Sequence, residues 1–515
     1  TGNGRTGSAY TTLAGVSFNA IVDLTDGFWN LTPGASQEIR LVADDPFAVI
    51  VPTTQVVTTS ATFGVTMLRA GSTLLRAEMV NVIPVFGPVV AQDTATAVNV
   101  LPGTPSRLLV KLPGETFDQG SPTGKVGSAI AQQAGANFSI QVGVVDSYFN
   151  IVTGRAADVK ILTPSDAFGL FVSTVGINTL AGITPPILVT LKRAATGHYL
   201  SATDYGSSGL SSDPQSSTFT VIPDLPMGLQ VVLPGQTAVP GGGDYPNGGI
   251  TGFISTRTAG APFNATLNLV DRYMNQTSAG GFPFTYLATN DEYDLDSATG
   301  PLAGGSTPVG LTLVTKTGSA RVTAGVRGLP ADLVCTGNSP SNVCRAEAPA
   351  AVGGPFKVYA STAVGLFVTL PGETYHPGKC NYLPGSVCRV LGPLEGAAGK
   401  DGAASAFTLT FPANSMNADV WLVDQFYNPA TDNVGAGQDT NPIAVMPTVA
   451  LNFPADATAA IPGAQTLFQG NWTFGITPIT SSITWSVRVA TTAVSASSWS
   501  EASSAFFPVH PGPSH

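Results

Sequence analysis

The stretch Val144-Val145-Asp146-Ser147-Tyr148-Phe149-Asn150 decides the fold, because the chain repeats its pattern four times. The pattern is an Asp, an aromatic residue two positions later and an Asn four positions after the Asp. The Asp residues are 120, 125 and 153 residues apart, which is the length of a β-sandwich domain with insertions. A recurring period of this kind indicates an array of similar modules. The four Asp/Asn pairs are Asp26 and Asn30, Asp146 and Asn150, Asp271 and Asn275, and Asp424 and Asn428.

The composition favours a secreted all-β protein. Only 10% of the 515 residues are charged, against roughly 25% in an average soluble domain, and the chain has 58 Gly and 40 Pro. No window has the Glu, Lys, Leu and Arg content of a long helix. The formal net charge of −10 is spread thinly, which argues against a nucleic-acid partner. No run of apolar residues is long enough to span a membrane.

Three of the repeats open with an alternating strand that ends in a Pro-Gly turn. These strands begin at Leu108, Leu229 and Leu366 and end in Leu-Pro-Gly-Glu-Thr or Leu-Pro-Gly-Gln-Thr. A second motif, Ala-Gly-x-x-Phe, starts a second alternating strand in repeats one to three, and its Phe lies eight residues before the motif Asp. One face of this second strand is therefore predicted to be core, which fixes its register.

These motifs resemble those of the tandem bacterial Ig-like domains of surface adhesins, stalks and filament proteins. The resemblance covers nearly the whole chain. It implies an all-β fold of four immunoglobulin-like β-sandwich domains arranged as a rod. We expect domain 1 at residues 1–103, domain 2 at 104–225, domain 3 at 226–362 and domain 4 at 363–515.

Domain 1 is expected to lack its first strand, because no Leu-x-Val-x-Leu-Pro-Gly-Glu-Thr stretch precedes Phe18. An unpaired sheet edge is a liability unless another segment fills it, and strand donation from a neighbouring subunit is one remedy. The candidate donor is the C-terminal stretch, with Phe506, Phe507 and Val509 as subunit contacts. The alternative is that the gap reflects processing of a longer array.

The four cysteines form two close pairs, Cys335 with Cys344 and Cys380 with Cys388. Each pair is predicted to form a disulfide that closes a loop inside an insertion, in domain 3 and domain 4 respectively. A zinc site that includes His376 is the alternative, but the spacings between the cysteines are wider than those of zinc knuckles.

The repeated Asp and Asn residues admit two interpretations. Side chains of this kind stabilise turns by binding their own backbone, and they also bind calcium. We expect the structural role and no cofactor. The acidic patch that contains Asp291, Asp294 and Asp296 is the other calcium candidate on ligand count.

No catalytic residues are predicted, because the sequence contains no nucleophile elbow, no zinc-protease motif and no phosphate-binding loop. We therefore expect a non-enzymatic, extracellular, cell-surface protein. The first hypothesis is a structural subunit of a filament, stalk or sheath that assembles head-to-tail with copies of itself. The alternative is an adhesin that binds a glycan or protein through loops of domains 3 and 4.

Overall fold

The computed structural model describes residues 4–8, 10–34, 36–80, 93–155, 157–169, 175–176, 181–206, 209–213, 215–278, 284–295, 297–299, 302–327, 351–381, 387–392, 395–431, 446–492 and 499–513. The chain divides into two compact units, Thr1–Asp224 and Leu225–His515. Nearly all regular structure in the described residues is strand, with one short 3₁₀ turn at Ala303–Gly305. No helix in this part of the chain is long and apolar enough to cross a bilayer.

The described residues of the first unit form twenty-one strands, ten in domain 1 and eleven in domain 2. Those of domain 1 are β1 Thr11–Leu13, β2 Ser17–Asp23, β3 Gln37–Ala43, β4 Val49–Val51, β5 Thr54–Val57, β6 Ser60–Thr66, β7 Gly71–Thr73, β8 Leu75–Met79, β9 Asp93–Thr94 and β10 Val98–Leu101. Those of domain 2 are β11 Arg107–Lys111, β12 Glu115–Phe117, β13 Lys125–Gly127, β14 Gln132–Gln133, β15 Asn137–Val145, β16 Asp158–Leu162, β17 Val175–Gly176, β18 Ile187–Thr190, β19 Ala195–His198, β20 Ser201–Asp204 and β21 Phe219–Ile222.

In the second unit, the part of the chain that the structure describes forms twenty-two strands, ten in domain 3 and twelve in domain 4. Those of domain 3 are β22 Gly228–Val232, β23 Gln236–Asp244, β24 Asn247–Gly252, β25 Arg257–Thr258, β26 Phe263–Val270, β27 Phe284–Thr289, β28 Ser297–Thr299, β29 Ser306–Leu311, β30 Thr317–Arg327 and β31 Ala351–Tyr359. Those of domain 4 are β32 Ala363–Thr369, β33 Glu373–Tyr375, β34 Lys400–Gly402, β35 Phe407–Thr408, β36 Met416–Asp424, β37 Thr448–Asn452, β38 Gln465–Thr466, β39 Asn471–Ile476, β40 Ser482–Trp485, β41 Arg488–Thr491, β42 Ala502–Ser503 and β43 Phe507–His510.

The same sheet arrangement recurs in domains 2, 3 and 4, whereas the corresponding strand of domain 1, β2, lies at the edge of the sheet β2-β6-β4. The strand that leads into the motif Asp is central in domains 2, 3 and 4: β15 lies between β11 and β18, β26 between β22 and β29, and β36 between β32 and β39. All of these pairings are antiparallel. A second sheet packs across the core and includes β3 and β8 in domain 1 and β16 and β20 in domain 2. The prediction of tandem all-β sandwich domains is confirmed.

Alternating side chains fill the core between the two sheets, as the period of two predicts. In β15, Phe138, Ile140, Val142 and Val144 are all buried, and Val142 and Val144 are 0% exposed. Every strand pairing among the described residues stays within one of the four predicted ranges. The boundary between the two units falls at residues 224 and 225. The separate boundaries at 103 and 362 remain predictions.

The C-terminal stretch belongs to domain 4 itself. Strand β43 pairs antiparallel with β40 and parallel with β35. Phe507 and Val509 are 1% and 2% exposed in the domain 4 core, where Phe507 packs on Trp485, whereas Phe506 is 72% exposed. This placement corrects the expectation that Phe507 and Val509 are free to complete another subunit, because releasing them would empty their own core.

Candidate functional site at the domain joints

The repeated Asp and Asn form a closed turn at the end of the central strand. In domain 2 the Asp146 Oδ1 atom accepts the backbone amides of Tyr148 and Asn150 at 2.8 and 2.9 Å. Its Oδ2 atom accepts the Asn150 side-chain amide at 3.0 Å. Domains 1, 3 and 4 make the corresponding bonds through Asp26, Asp271 and Asp424. We call this element the motif turn.

The residue before the Asn adopts a left-handed backbone in all four motif turns. The φ angles of Trp29, Phe149, Met274 and Tyr427 lie between 62° and 67°. A bulky residue adopts this conformation only where the surroundings stabilise it. The bonds to the Asp carboxylate supply that stabilisation, so the turn depends on the Asp and the Asn together.

In domain 2 the Asn of the motif turn binds the preceding domain. Asn150 donates its Nδ2 to the Leu68 carbonyl at 2.9 Å, and its Oδ1 accepts the Ala70 amide at 2.8 Å. Asn150 is 0% exposed and Asp146 is 1% exposed. The motif turn of domain 2 is therefore part of the joint with domain 1.

The joint between domains 3 and 4 repeats this geometry. Asn428 donates its Nδ2 to the Val314 carbonyl at 2.7 Å, and its Oδ1 accepts the Lys316 amide at 2.7 Å. Lys316 also donates its Nζ to the Pro429 carbonyl at 3.0 Å. Asn428 also donates its Nδ2 to Asp424 Oδ2 at 3.0 Å, so its side-chain amide uses both its donors and its oxygen, and the two backbone bonds fix both distance and orientation.

A second Asp holds the loop that receives the Asn. We call residues 68–70 and 314–316 the seat loops. Asp45 accepts the amides of Leu68 and Arg69 at 2.7 and 2.9 Å through its Oδ2. Asp291 accepts the amides of Val314 and Thr315, both at 2.7 Å. Asp166 and Asp456 bind residues 192–193 and 479–480 in the same way.

The aromatic residue of the motif turn packs on a glycine of the preceding domain. A Cβ atom added to Gly15 would lie 2.1 Å from the Tyr148 ring, and one added to Gly260 would lie 2.3 Å from the Phe426 ring. Both glycines belong to Ala-Gly-x-x-Phe motifs and have φ near +80°. Because no larger side chain fits under the ring, the joint explains why this position is Gly.

The linker between domains binds the Oδ2 atom of the motif Asp, which also accepts the Asn side chain. The Gly103 amide donates to Asp146 Oδ2 at 2.7 Å, and the Ser361 amide donates to Asp424 Oδ2 at 2.8 Å. One carboxylate thus orders the turn, the Asn and the incoming chain. Hydrogen bonds to a charged acceptor are stronger than neutral ones.

Domain 1 carries the same motif turn without a described neighbour. Phe28 is 86% exposed, whereas its counterpart Phe426 is 6% exposed. Trp29 and Asn30 are also exposed. The hydrogen bonds to the Asp26 side chain keep the pKa of its carboxyl below the usual value, with the Asn30 side chain as the main donor.

Domain 4 departs from the pattern at its own Ala-Gly position. The amides of Ala14, Ala134 and Ala259 each donate to the closing strand of their domain, and in domain 4 the Leu409 amide donates to His510. The residue after Leu409 is Thr410 in place of Gly. Phe411 follows and is 83% exposed. Domain 4 therefore has a loop held by Asp456, but at the position of the Ala-Gly glycine it has Thr410, on which an aromatic ring cannot pack in the same way.

The disulfide Cys380–Cys388 lies at the joint between domains 3 and 4. Both cysteines are at most 4% exposed and pack with the domain 3 core. Arg389 follows directly, donates its amide to the Tyr293 carbonyl at 3.0 Å and lies over the Tyr293 ring. The described ends of this insertion therefore stabilise the joint. The other pair, Cys335 and Cys344, lies outside the described residues.

An ion pair closes the same insertion. Arg389 binds both oxygens of Glu395, at 3.0 and 2.6 Å. The Arg389 guanidinium lowers the pKa of Glu395 to about 2. Burial raises the pKa of Tyr293 to about 12, so this phenol stays neutral.

The calcium candidates are already occupied by hydrogen-bond donors. Asp291 accepts the amides of Val314 and Thr315 on one oxygen and the Thr315 hydroxyl on the other. Asp294 accepts the Thr289 hydroxyl at 2.7 Å, and Asp296 lies outside the described residues. Within the described ranges, no three His, Cys, Asp or Glu side chains come together as a metal site. A calcium ion at Asp146 or Asp291 would have to displace several amides.

A cleft of about 360 Å³ lies beside the joint between domains 1 and 2. It is lined by Phe47, Leu68, Pro122, Tyr148 and other apolar or small residues, with no carboxylate, imidazole or amine among them. Its polar side chains are the hydroxyls of Ser121, Ser147 and Tyr148.

Sequence reasoning located the motif turn but missed its partner loop. The acidic turns at Asp45, Asp166 and Asp291 are visible in the sequence, yet their bonds reach backbone 23 to 27 residues further on. The feature of the sequence that could have revealed this loop is the similar spacing from each of these Asp residues to the loop whose backbone it binds.

No protein-family model and no curated protein matches the chain. Among solved structures it is similar to the Escherichia coli adhesin FdeC, with 13% identity over 80% of this chain and 100% of that chain and a TM-score of 0.28. It is also similar to a C-terminal fragment of intimin in complex with the translocated intimin receptor's intimin-binding domain (15% identity, 43% of this chain, 63% of that chain, TM-score 0.15). A third similar structure is surface layer protein SbsC, domains 1–6, with 11% identity over 98% of this chain and 53% of that chain and a TM-score of 0.17. At these values the fold rests on the strands described above, and the structures similar to this chain include adhesins and a surface-layer protein.

Proposed function

We propose that this chain is a non-enzymatic structural subunit of an extracellular, cell-surface filament, stalk or sheath. The observation that carries the proposal is the joint. In both described joints, a buried Asn, a buried Asp and an aromatic ring of one domain fix it to the preceding domain. Flexible linkers are the default between domains, so hydrogen-bonded joints of this kind favour a role in which the spacing between domains matters.

The described ends of the Cys380–Cys388 insertion support the structural role. Cys380, Cys388 and Arg389 are buried and contact domain 3, so this part of the insertion contributes to the joint. Assembly with copies of itself stays part of the proposal.

The test is joint stiffness in the full chain. Asn150→Ala and Asn428→Ala each remove the bonds to a seat loop, while Asn30→Ala removes the same side chain where no described domain precedes it. Small-angle X-ray scattering should show a broader distribution of shapes for the first two variants and an unchanged one for the third. If all three match the unmodified chain, the joints do not set the stiffness and the structural role loses its support.

Negative-stain microscopy of secreted material separates the two hypotheses. Periodic fibres or lattices agree with a structural subunit. Isolated particles that bind a surface glycan or protein would favour the adhesin.

A further inference from the structure

The two described joints differ at the hairpin loop that touches the seat loop. We call the joint between domains 1 and 2 the first joint and the one between domains 3 and 4 the second joint. In both, a Cβ atom added to the hairpin glycine, Gly120 or Gly378, would lie 2.7 Å from a Cα atom of the seat loop. From there residues 121–124 lead directly to β13 in domain 2, whereas the same stretch of domain 4 carries the Cys380–Cys388 insertion before β34.

An aromatic surface that is buried in the second joint is open in the first. Tyr293 and Phe47 are equivalent, because each donates its amide to the Asp that holds the seat loop, at 3.1 and 2.9 Å. Tyr293 is 8% exposed, whereas Phe47 is only partly buried. The ring of the motif turn follows the same rule, since Phe426 is 6% exposed and Tyr148 is 37% exposed. The open surface is part of the cleft of about 360 Å³.

The described part of the insertion shows what this surface accepts. Cys388 packs in one cluster with Tyr293 and Phe426. Arg389 places its guanidinium carbon 5.4 Å from the centre of the Tyr293 ring and donates its amide to the Tyr293 carbonyl at 3.0 Å. Its Nε donates to the Glu292 carbonyl. The occupant of the second joint is thus an apolar side chain followed by an Arg.

The first joint offers acceptors for the same group. The two residues whose carbonyls bind Arg389 correspond to Pro46 and Phe47, and neither of these carbonyls accepts a hydrogen bond among the described residues. The Phe47 ring lines the cleft, and a cation over an aromatic face is attracted by it. The carboxylate that pairs with Arg389 is Glu395, which belongs to the insertion itself. The cleft therefore needs no acidic side chain of its own to receive an Arg.

We propose that the cleft at the first joint is a binding site for a peptide segment of a partner protein that presents an Arg between apolar residues, as residues 387–391 do in the second joint. The apolar side chains cover Phe47 and Tyr148, while the guanidinium lies over the Phe47 ring and donates to the Pro46 carbonyl. The proposal goes beyond the structural role, because it adds a ligand to the joint and rests on the geometry of the two joints alone.

The equivalent segment of this chain is not free to be the occupant. Cys388 is 3% exposed and Arg389 is 8% exposed in their own joint. The hairpin loop of domain 2 is also too short to fold over the cleft, since it returns to β13 within residues 121–124. A separate partner with the same chemistry is therefore the occupant to test.

The test uses the full chain and a labelled synthetic peptide with the sequence of residues 386–392, in which Cys388 is replaced by Ala. Fluorescence anisotropy should show saturable one-to-one binding, and hydrogen exchange should slow at residues 46–48. A control peptide that also carries Arg389→Gln should bind at least about threefold more weakly. Equal binding of the two peptides, or no saturable binding, would overturn the proposal.

Two matched variants of the chain locate the site. Phe47→Ala removes the ring that receives the guanidinium and should weaken binding at least about threefold. Phe168→Ala is the control, because Phe168 bonds to Asp166 as Phe47 bonds to Asp45, is 38% exposed and does not line the cleft. The control should bind the peptide like the unmodified chain. Equal affinities in both variants would place the peptide elsewhere.

A covalent measurement keeps the proposal testable if Phe47→Ala unfolds. Pro122 and Cys380 are each the second residue after the hairpin glycine, so Pro122→Cys supplies one half of the disulfide of the second joint. The peptide that retains Cys388 should exchange onto the introduced thiol and resist at least about threefold more 2-mercaptoethanol than its Arg389→Gln form. The unmodified chain gives the background labelling. Equal resistance of the two peptides would contradict the proposal.

Sedimentation of the full chain distinguishes the source of the occupant. The unmodified chain and Phe47→Ala should sediment alike, because the proposed occupant is a separate protein. Self-association that Phe47→Ala abolishes would assign the cleft to a segment of a second copy and overturn the separate partner.

Discussion

Asn150 donates its side-chain amide to the Leu68 carbonyl, 2.9 Å away and 82 residues earlier in the chain. A turn that could be purely local is therefore a contact between two domains. The side chain satisfies its own turn and the neighbour's backbone at once, so loss of one group should affect both.

Asp146→Ala should destabilise domain 2 by about 3 kcal/mol, because it leaves several buried amides without a charged acceptor. Asp26→Ala is the matched control and should cost well under half as much, because its turn is exposed. Denaturant unfolding, monitored by hydrogen exchange, measures the loss of stability in both variants. A melting temperature that rises with calcium in the unmodified chain but not in Asp146→Ala would favour the metal interpretation instead.

Gly15→Ala should open the joint between domains 1 and 2, because the new methyl group overlaps the Tyr148 ring. Gly197→Ala is the control for backbone strain. Its φ of 74° is close to the 81° of Gly15, and its Cβ would meet nothing within 4 Å. Limited proteolysis near residues 102–106 should accelerate for the first variant only. Adding Tyr148→Ala to Gly15→Ala should restore protection, and no rescue would contradict the packing argument.

Reduction of Cys380–Cys388, or its replacement by two alanines, should loosen the joint between domains 3 and 4. Closing a loop of this length contributes about 2–3 kcal/mol. Hydrogen exchange should rise around Tyr293, which the insertion covers. Non-reducing peptide mapping also tests the predicted Cys335–Cys344 bond, and free thiols or crossed pairs there would refute it.

The Arg389–Glu395 pair should make the joint sensitive to acid. The pKa of Glu395 is lowered from 4.5 to about 2, so unfolding takes up a proton in this range. The stabilisation is therefore complete above pH 4.5 and is lost as the pH falls towards 2. Glu395→Gln should flatten this part of the pH–stability curve. If the pH–stability curves of the unmodified chain and of Glu395→Gln stay parallel, the Arg389–Glu395 pair is not linked to folding.

Phe507→Ala should destabilise domain 4 by about 3–5 kcal/mol, because it empties a packed core site. The adjacent Phe506→Ala, at a position that is 72% exposed, should change stability by less than about 0.5 kcal/mol. Thermal unfolding of the two variants tests whether the C-terminal stretch is part of the domain 4 core. Equal, small effects would mean that β43 is dispensable to its own domain.

The parts of the fold with local causes could be predicted from the sequence. Alternation placed Val142 and Val144 in the core, and the Pro-Gly turns ended the opening strands. Glu115 shows why the turn carries an acid, since its Oε2 accepts the Leu112 amide three residues earlier. These interactions lie within a few residues, so the spacing alone reveals them.

The joints could not be predicted because their partners are distant in the sequence. Nothing near Asn428 indicates that it binds Val314, 114 residues earlier. The place of Phe507 could not be predicted for the same reason, since only the fold shows that its ring packs on Trp485 in the domain 4 core.

The glycine beneath each aromatic ring has a consequence for how such a chain can lengthen. Domains 1 and 3 each receive their successor, and domains 2 and 4 each engage their predecessor, through the same few side chains. Any module that packs behind domain 1 or domain 3 through the described joint must therefore present the same three groups, an aromatic ring, a buried Asp and a buried Asn. Thr410 stands at the corresponding glycine position of domain 4. An aromatic ring could not pack on that position in the way that Tyr148 packs on Gly15.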